Sequence, residues 1–511
     1  MRRQLQGSSV SHSMVLAGLL LLIFLSRWIY MVNVEPNVDA STWLAASHSI
    51  SSLPDKLWLI LNYTDSRPLT VLPLWMLQLL GVPLSYPMAE TVGLVFWLVT
   101  IIYLYRTFCL FLPADRSLLL VWVMGMLIAT TWYNDHIGYN SEHLSVMCIT
   151  VCSYWYLRLE KKGSMESWQV ALLGVVLGSL LYIKFQNVPM GLVIAAMALW
   201  KLVGQKKWAQ VILLTVAGVM PTLLMNAYFF VKGKIGDFWV NYFWNYFYYS
   251  YSTQFQPMPV VERFGPFRTL SFMLNSTHSR YYFLGILIGL LLLVLWPKDG
   301  RSQKDRFLKM NRIFSVLLLL SSLYASLQAG NNFEHYILYL FVPLLYCLVV
   351  WLAHAQVPAQ GWALGVLLGF SMLQTARNTL TRHTLEALPS GEEDLVIMRT
   401  IQDNTQPTDP IVLWGWADRL YYYTLRPSGY RLPHTHNLFL DSELLDYRVK
   451  NFMDDIKTTR PKLIIDLART PYSTFSNLGK EIAQYPVIND YIRMNYQYKK
   501  TKNGIVYYIR K

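Results

Sequence analysis

About eleven apolar stretches, each close to the length of a membrane-spanning helix, constrain what this chain can fold into. Roughly 20 apolar residues in a helix cross the ~30 Å of hydrocarbon in a bilayer. Only 14% of the residues are charged, whereas soluble domains carry about 25%. We therefore predict a polytopic α-helical membrane protein, with spans at 13–32, 86–105, 117–132, 144–158, 168–183, 188–203, 209–231, 281–296, 313–328, 335–354 and 361–376.

Basic residues at alternate ends of these stretches predict the orientation of the chain. The excess of 44 Lys and Arg over 30 Asp and Glu gives a net charge of +14, which could indicate nucleic acid. Their placement instead follows the positive-inside rule, so we expect membrane lipids as partners and no nucleic acid. The interpretation is a multi-pass protein of the inner (plasma) membrane with a cytoplasmic N-terminus. The basic positions predicted to be cytoplasmic are Arg2, Arg3, Arg106, Arg116, Arg158, Lys161, Lys162, Lys201, Lys206, Lys207, Lys298, Arg301, Lys304, Arg306, Lys309 and Arg312.

With this orientation, three loops and the C-terminal part are predicted to lie outside the cytoplasm. The loops are residues 33–85, 133–143 and 232–280. After residue 376 the long apolar stretches give way to helical patterns that alternate with short β-rich ones. We predict a transmembrane module of residues 1–376 and a small extracytoplasmic α/β domain of residues 377–511. Its β-rich stretches are 411–415, 462–466 and 504–510.

The first outer loop carries charged residues next to the predicted membrane surface. Asp39 follows the first span, and Asp65 and Arg67 precede an amphipathic segment. Charges held at a membrane are costly unless they are solvated or paired, so they are candidates for a functional site. The alternative is that Asp39 is a solvated or capping residue at a helix end.

The short second outer loop adds further polar candidates. It contains Asp135, His136, Glu142 and His143. Two acids and two histidines could bind a divalent metal, but their spacing fits no standard zinc site. Hydrogen bonding and positioning of an acceptor are the alternative roles, so the metal requirement and the cofactors stay open.

The third outer stretch begins with a strongly aromatic run. Residues 238–255 read FWVNYFWNYFYYSYSTQF and include no charged residue. Tyr and Trp favour the membrane interface, so we predict a helix in the plane of the lipid headgroups. This helix could simply anchor the protein, or it could also line a groove for a lipid tail.

Several motifs resemble the GT-C superfamily of membrane glycosyltransferases, most closely the branch of protein O-mannosyltransferases and the aminoarabinose transferase of lipid A. One is the acid after the first helix, Asp39, and another is the basic-Pro-Leu box that starts at Arg67. The others are the segment GVVLGSLLYIK, which ends at Lys184, and HYILYLFVP, which starts at His335. Where the family often has Asp-Glu, this chain has Val38-Asp39.

The resemblance implies a fold, a reaction and roles for these residues. It implies a GT-C membrane enzyme of the glycosyltransferase class (EC 2.4) that uses a polyprenyl-phosphate-linked sugar. Asp39 is the implied catalytic carboxylate, with Glu142 and Asp65 as the reserve candidates. Arg67 and Lys184 are the implied ligands of the donor phosphate. The residues expected to position acceptor or donor are Asp135, His136, His335 and Tyr336.

Chemical reasoning favours the same reaction. A site outside the cytoplasm has no supply of nucleotide sugars, and the sequence contains neither a G-x-G-x-x-G nor a G-x4-G-K-[ST] loop. A lipid-carried donor solves this problem. Its transfer requires a carboxylate to accept the proton of the acceptor hydroxyl and cations to stabilise the departing phosphate. The acceptor could be an envelope glycan, a lipid or a protein.

Two other functions are compatible with the sequence. A transporter or flippase of lipid-linked glycans would also need many helices and basic residues, but it accounts less well for the long outer loops. No internal repeat of the kind found in many transporters is evident. An O-antigen ligase or polymerase is chemically close to the first reaction, but its main loop is expected between late helices.

Overall fold

The computed structural model describes residues 2–53, 67–251, 258–296, 305–330, 333–382, 392–501 and 505–511. The chain divides into two units by its internal contacts. The first consists of Met1–Met31, Glu90–Met225 and Met258–Thr384, and the second of Val32–Ala89, Asn226–Pro257 and Leu385–Lys511. The predicted boundary at residues 376 and 377 concerns the two sides of a membrane and stays a prediction.

The first unit is helical throughout its described part. Two helices, Tyr86–Phe108 and Trp208–Val231, contribute residues to both units. The other helices of the first unit, including short 3₁₀ turns, are Arg2–Trp28, Ala114–Thr130, Asn134–Ile137, Ser141–Lys162, Ser167–Ile183, Phe185–Asn187, Val188–Gly204, Val260–Phe264, Pro266–Asn275, Arg280–Leu295, Arg306–Leu327, Glu334–Ile337, Leu338–Leu352 and Val357–Leu380.

Six helices of the described chain are long and apolar enough to cross a membrane, so the protein is a multi-pass membrane protein. Each of the predicted apolar stretches falls largely on a helix, but only these six meet both the length and the hydropathy required. The count of about eleven spans therefore stays a prediction. The six are Ser11–Trp28, Tyr86–Phe108, Phe185–Gly204, Trp208–Val231, Arg306–Leu327 and Glu334–Leu352.

The glycines of the GVVLGSLLYIK segment allow two helices to pack closely. A Cβ atom added at Gly178 would lie 1.9 Å from the carbonyl oxygen of Gly218, and one at Gly174 would lie 2.6 Å from that of Leu214. Both partners belong to the helix Trp208–Val231. Small residues four apart let helix backbones approach in this way. The packing fixes the helix Ser167–Ile183, which ends at its C-cap residue Lys184.

The second unit is built around a four-stranded sheet. Its strands are β1 (Ile411–Trp414), β2 (Leu463–Asp466), β3 (Tyr496–Lys500) and β4 (Val506–Arg510). They are arranged in the order β1-β2-β4-β3. β1 and β2 are parallel, with Ile411 opposite Leu463, whereas β4 is antiparallel to both β2 and β3. The three β-rich stretches predicted from the sequence contain β1, β2 and β4.

Helices surround this sheet within the second unit. One of them, Val38–Ser52, is called the first-loop helix below. Its residue Ala45 is fully buried in the same apolar core as Ile411 and Leu463 of the sheet. The other helical segments are Pro68–Leu79, Ile235–Trp239, Val240–Trp244 (a π-helix), Asn245–Tyr251, Glu392–Asn404, Arg419–Thr424, His436–Phe439, Leu445–Thr459, Ser476–Leu478, Ile482–Gln484 and Pro486–Asn495.

The aromatic run after residue 238 is helical up to Tyr251, and residues 252–255 lie outside the described part. Phe238 is fully buried, and Trp244 is 54% exposed. The Tyr447 hydroxyl donates to Asp237 at 2.7 Å, and Tyr248 donates to Glu443 at 2.7 Å. One side of the segment therefore packs within the second unit. Its predicted position among lipid headgroups stays a prediction.

Candidate functional site

Glu142 and Lys184 form a buried ion pair in the first unit. Glu142 lies in the first turn of the helix Ser141–Lys162, and Lys184 caps the end of the next helix, Ser167–Ile183. Consecutive antiparallel helices bring the start of one beside the end of the other, so the pair follows from the topology. The Glu142 side chain is 0% exposed and the Lys184 side chain 3%. A charge buried among membrane helices is costly and marks a functional site by default.

A carboxylate–histidine pair lies beside the first pair. His335 Nδ1 is 3.6 Å from Asp135 Oδ2. The Lys184 ammonium lies 4.6 Å from the centroid of the Tyr336 ring, a cation–π distance. Burial alone would raise the pKa of Asp135, but the neighbouring His335 holds that pKa below its ordinary value. The structure thus brings together five of the predicted site residues: Asp135, Glu142, Lys184, His335 and Tyr336.

His136 is buried close to this cluster as a neutral ring. Burial, followed by the charge of His278, lowers the pKa of His136 to about 3. Its Nε2 atom is buried and makes no hydrogen bond within the described chain. His143 Nε2 lies 3.1 Å from the backbone oxygen of His136. Among the described residues, no three His, Cys, Asp or Glu side chains are placed to hold a metal ion together.

A further ion pair in the first unit was not predicted from the sequence. Arg27, near the end of the first helix, donates to Glu90 and also to the backbone oxygen of Thr131, the latter at 2.7 Å. Arg27 is 4% exposed and Glu90 6%. Both residues line a pocket together with Thr131 and His136. Of the described residues that line this pocket, Arg27 and Glu90 are the charged ones. A charged residue inside an apolar stretch is the sequence signal that could have identified each of them.

Asp39 belongs to the second unit, in the first turn of the first-loop helix. The helix is capped by Asn37, whose side chain accepts from the backbone N–H of Ala40 at 2.9 Å. Asp39 is therefore not the N-cap, although a carboxylate in the first turn also favours the helix dipole. Its side chain is partly exposed, as an acid that meets a substrate must be.

A second acid, Glu35, precedes this helix, and sequence reasoning did not assign it a role. It accepts a hydrogen bond from Ser41, whose oxygen lies 2.7 Å from the Tyr86 hydroxyl. Arg419 Nε is 3.9 Å from Glu35 and 2.8 Å from Asp394. Burial raises the pKa of Glu35, and the opposing effects of Arg419 and Ser41 do not offset it.

The first loop contains two more of the predicted site residues. Arg67 precedes the helix Pro68–Leu79, and its guanidinium carbon lies 6.0 Å from the centroid of the Trp43 ring. Asp65 lies outside the described residues. The roles predicted for Arg67 and Asp65 stay predictions.

Comparison with known proteins gives no family for this chain. No protein-family model matches it, and no curated protein matches it either. Among solved structures, the archaeal oligosaccharyltransferase AglB of Archaeoglobus fulgidus, in complex with an inhibitory peptide and a dolichol-phosphate, is similar at 10% identity. The alignment covers 99% of this chain and 74% of that one, with a TM-score of 0.48.

Two other structures of the Archaeoglobus fulgidus oligosaccharyltransferase are similar to the same degree. The form tethered to an acceptor peptide with the NVT sequon is 10% identical and has a TM-score of 0.43. The apo form is 11% identical and has a TM-score of 0.45. Each alignment covers 98% of this chain and 74% of the other. At these scores the likeness assigns neither a fold family nor an activity to this chain.

Proposed function

We propose that this protein is an inverting glycosyltransferase of the GT-C type. It moves a sugar from a polyprenyl-phosphate donor to a lipid, glycan or protein acceptor on the outer face of the membrane. The observation that carries the proposal is the buried ion pair of Glu142 and Lys184, with the partly exposed Asp135 and its neighbour His335 beside it, in a unit of membrane helices. Ionisable groups among membrane helices are unfavourable in free energy, and they occur mainly where a protein binds charged or polar substrates.

The buried ion pair supports Lys184 as a ligand of the donor phosphate. An ammonium group in a low-dielectric environment interacts strongly with a phosphate that gains charge as the sugar leaves. Glu142 offsets the cost of burying this cation. Because the carboxylate of Glu142 is fully buried, it is a weaker candidate for the general base than the partly exposed Asp39.

Asp39 then acts as the general base of a single displacement. Its carboxylate takes the proton of the acceptor hydroxyl while the hydroxyl oxygen bonds to the anomeric carbon. The bond from that carbon to the phosphate oxygen breaks, and polyprenyl phosphate leaves. Attack opposite the leaving group inverts the anomeric configuration. Arg67 is the second proposed cation for the phosphate, and Asp135, His136, His335 and Tyr336 position donor or acceptor.

A transporter of lipid-linked glycans is the second candidate, because carboxylate–histidine pairs such as Asp135–His335 also occur in proton relays of transporters. The two functions predict different intermediates. Loss of a transferase leaves an acceptor that lacks one sugar, and its lipid-linked donor remains available outside. Loss of a flippase leaves the lipid-linked glycan on the cytoplasmic side.

The test compares the cell envelope with and without the gene by mass spectrometry. We expect one sugar to be missing from a defined glycan, lipid or protein in the deletion strain and to return on complementation. Complementation with Asp39→Asn should then restore less than about a hundredth of the wild-type rate, because general-base assistance contributes about 10²–10⁴-fold.

Asp403→Asn is the matched control, because Asp403 is an exposed acid of the helix Glu392–Asn404 in the same unit. This variant should complement fully. An envelope that lacks the sugar while the lipid-linked glycan accumulates on the cytoplasmic side would refute the transferase and support the flippase.

A further inference from the structure

The first-loop helix is attached to the segment that follows β1 by a buried carboxylate. The Thr42 hydroxyl donates its shorter hydrogen bond to Asp418 Oδ2, at 2.6 Å, and also lies 3.1 Å from the Val38 carbonyl of its own helix. His434 Nδ1 lies 3.0 Å from the same oxygen. Thr42, Asp418 and His434 are each 1% exposed, and all three belong to the second unit.

Two more contacts lie along the same face of this helix. Ala45 is buried in the core of the sheet, and the Ser49 oxygen accepts from the backbone N–H of Ser428 at 2.9 Å. Positions 42, 45 and 49 follow the i, i+3, i+7 spacing of one helix face. Asp39 lies one turn before Thr42, so it is the first residue on this face of the helix.

A polar contact at this position does something that apolar packing cannot. Ala45 alone would allow the helix to rotate or slide by small amounts, whereas the hydrogen bond at Thr42 is satisfied in one register only. A buried carboxylate that loses a partner is costly, so the register is strongly preferred. His434 in turn holds the Asp418 carboxylate in place.

We propose that Asp418 is a positioning residue: its hydrogen bond to Thr42 fixes the first-loop helix and thereby the carboxylate of Asp39. The inference rests on the proposed function, in which Asp39 is the general base. It gives the segment after β1 a task in the reaction, although none of its side chains has to touch a substrate.

The experiment measures hydrogen–deuterium exchange of the full-length protein in detergent. Thr42→Val keeps the shape of the side chain and removes its hydroxyl. Thr42→Ser keeps the hydroxyl. Thr424→Val is the matched control. Thr424 is 2% exposed, and within the described chain its hydroxyl donates to the Leu420 carbonyl of its own helix, at 2.6 Å.

We expect the amides of residues 38–52 to exchange about tenfold faster in Thr42→Val, the size of effect that a hydrogen bond to a charged group produces. Asp418→Asn should act in the same direction. Exchange in β1 and β2 should not change. This result would show that only the first-loop helix is less protected and that the second unit is still folded. Thr42→Ser and Thr424→Val should match the wild type. Unchanged exchange at residues 38–52 in Thr42→Val would overturn the inference.

A second arm connects the helix to the reaction. In the deletion strain, at equal protein levels, Thr42→Val should restore the missing sugar poorly, and Thr42→Ser should restore it fully. Asp39→Asn is measured in parallel. If Asp39→Asn is fully active while the exchange result holds, the proposed base is wrong and Asp418 only anchors the helix. If Asp39→Asn is inactive and Thr42→Val is fully active, the positioning role is wrong and the proposed base stands.

Discussion

The buried pair of Glu142 and Lys184 can be tested by a double-mutant cycle. Removing one partner of a buried ion pair costs about 3–5 kcal/mol, because the other charge stays buried without its counter-charge. Both side chains are essentially inaccessible here, at 0% and 3% exposure, so this range applies without a discount for solvent. We expect Glu142→Gln and Lys184→Met each to lower the free energy of unfolding by that amount.

The double variant should be more stable than either single variant. Replacing both charges leaves no uncompensated charge, and in other proteins this change has been neutral or stabilising by about 1–4 kcal/mol. Cys148 and Cys152 are buried in the helix that contains Glu142, and Cys347 is buried in the same unit, so a thiol-reactive dye in detergent reports unfolding of the first unit. Cys109, which is partly exposed, is first replaced by Ser. A double variant whose loss equals the sum of the two single losses would show that the charges do not interact.

Three further predictions concern packing, pH and topology. Gly178→Ala should destabilise the first unit by about 1–3 kcal/mol, because the added methyl group overpacks against the Gly218 carbonyl. Gly369→Ala is the control, since no atom lies within 4 Å of the added Cβ. It should not lower the melting temperature in detergent. Burial raises the pKa of Asp466 to about 6. An acid whose pKa is higher in the folded than in the unfolded state binds more protons when folded, so the fold loses stability as pH rises from about 4 to 6. Asp466→Asn should therefore raise the melting temperature more at pH 7 than at pH 5. An equal change at both pH values would contradict this assignment. Alkaline phosphatase fused after residue 390 should be active and a fusion near residue 305 inactive, because the basic loops place these positions on opposite sides of the membrane; the reverse pattern would place Asp39 in the cytoplasm.

The helices of the first unit could be predicted from the sequence because their signal is local. A long apolar stretch must form a helix to satisfy its backbone in lipid, whatever its neighbours are. The strands β1, β2 and β4 were predictable for a similar reason, since each is a short run rich in β-branched or aromatic residues. β3 was missed because its residues after Tyr496 are exposed and polar, and it forms only by pairing with β4.

The candidate site could be predicted in part. Glu142 and Lys184 were each selected as candidates, but the ion pair between them was not predicted. Glu142 lies at the start of one helix and Lys184 at the end of the next, so the two residues meet on the same side of the helix pair. The contacts of the first-loop helix with Asp418 had no local signal at all. Residues this distant in sequence meet only through the tertiary fold, and one polar side chain does not indicate its partner.

The first-loop helix also has a consequence for the synthesis of the protein. Thr42 and its partner Asp418 are 376 residues apart in the chain. At roughly 5–20 residues per second, a ribosome needs on the order of 20–75 s to make the intervening chain. During that time Ala45 has been made and its core partners Ile411 and Leu463 have not. The second unit can therefore complete its core only after translation is nearly finished.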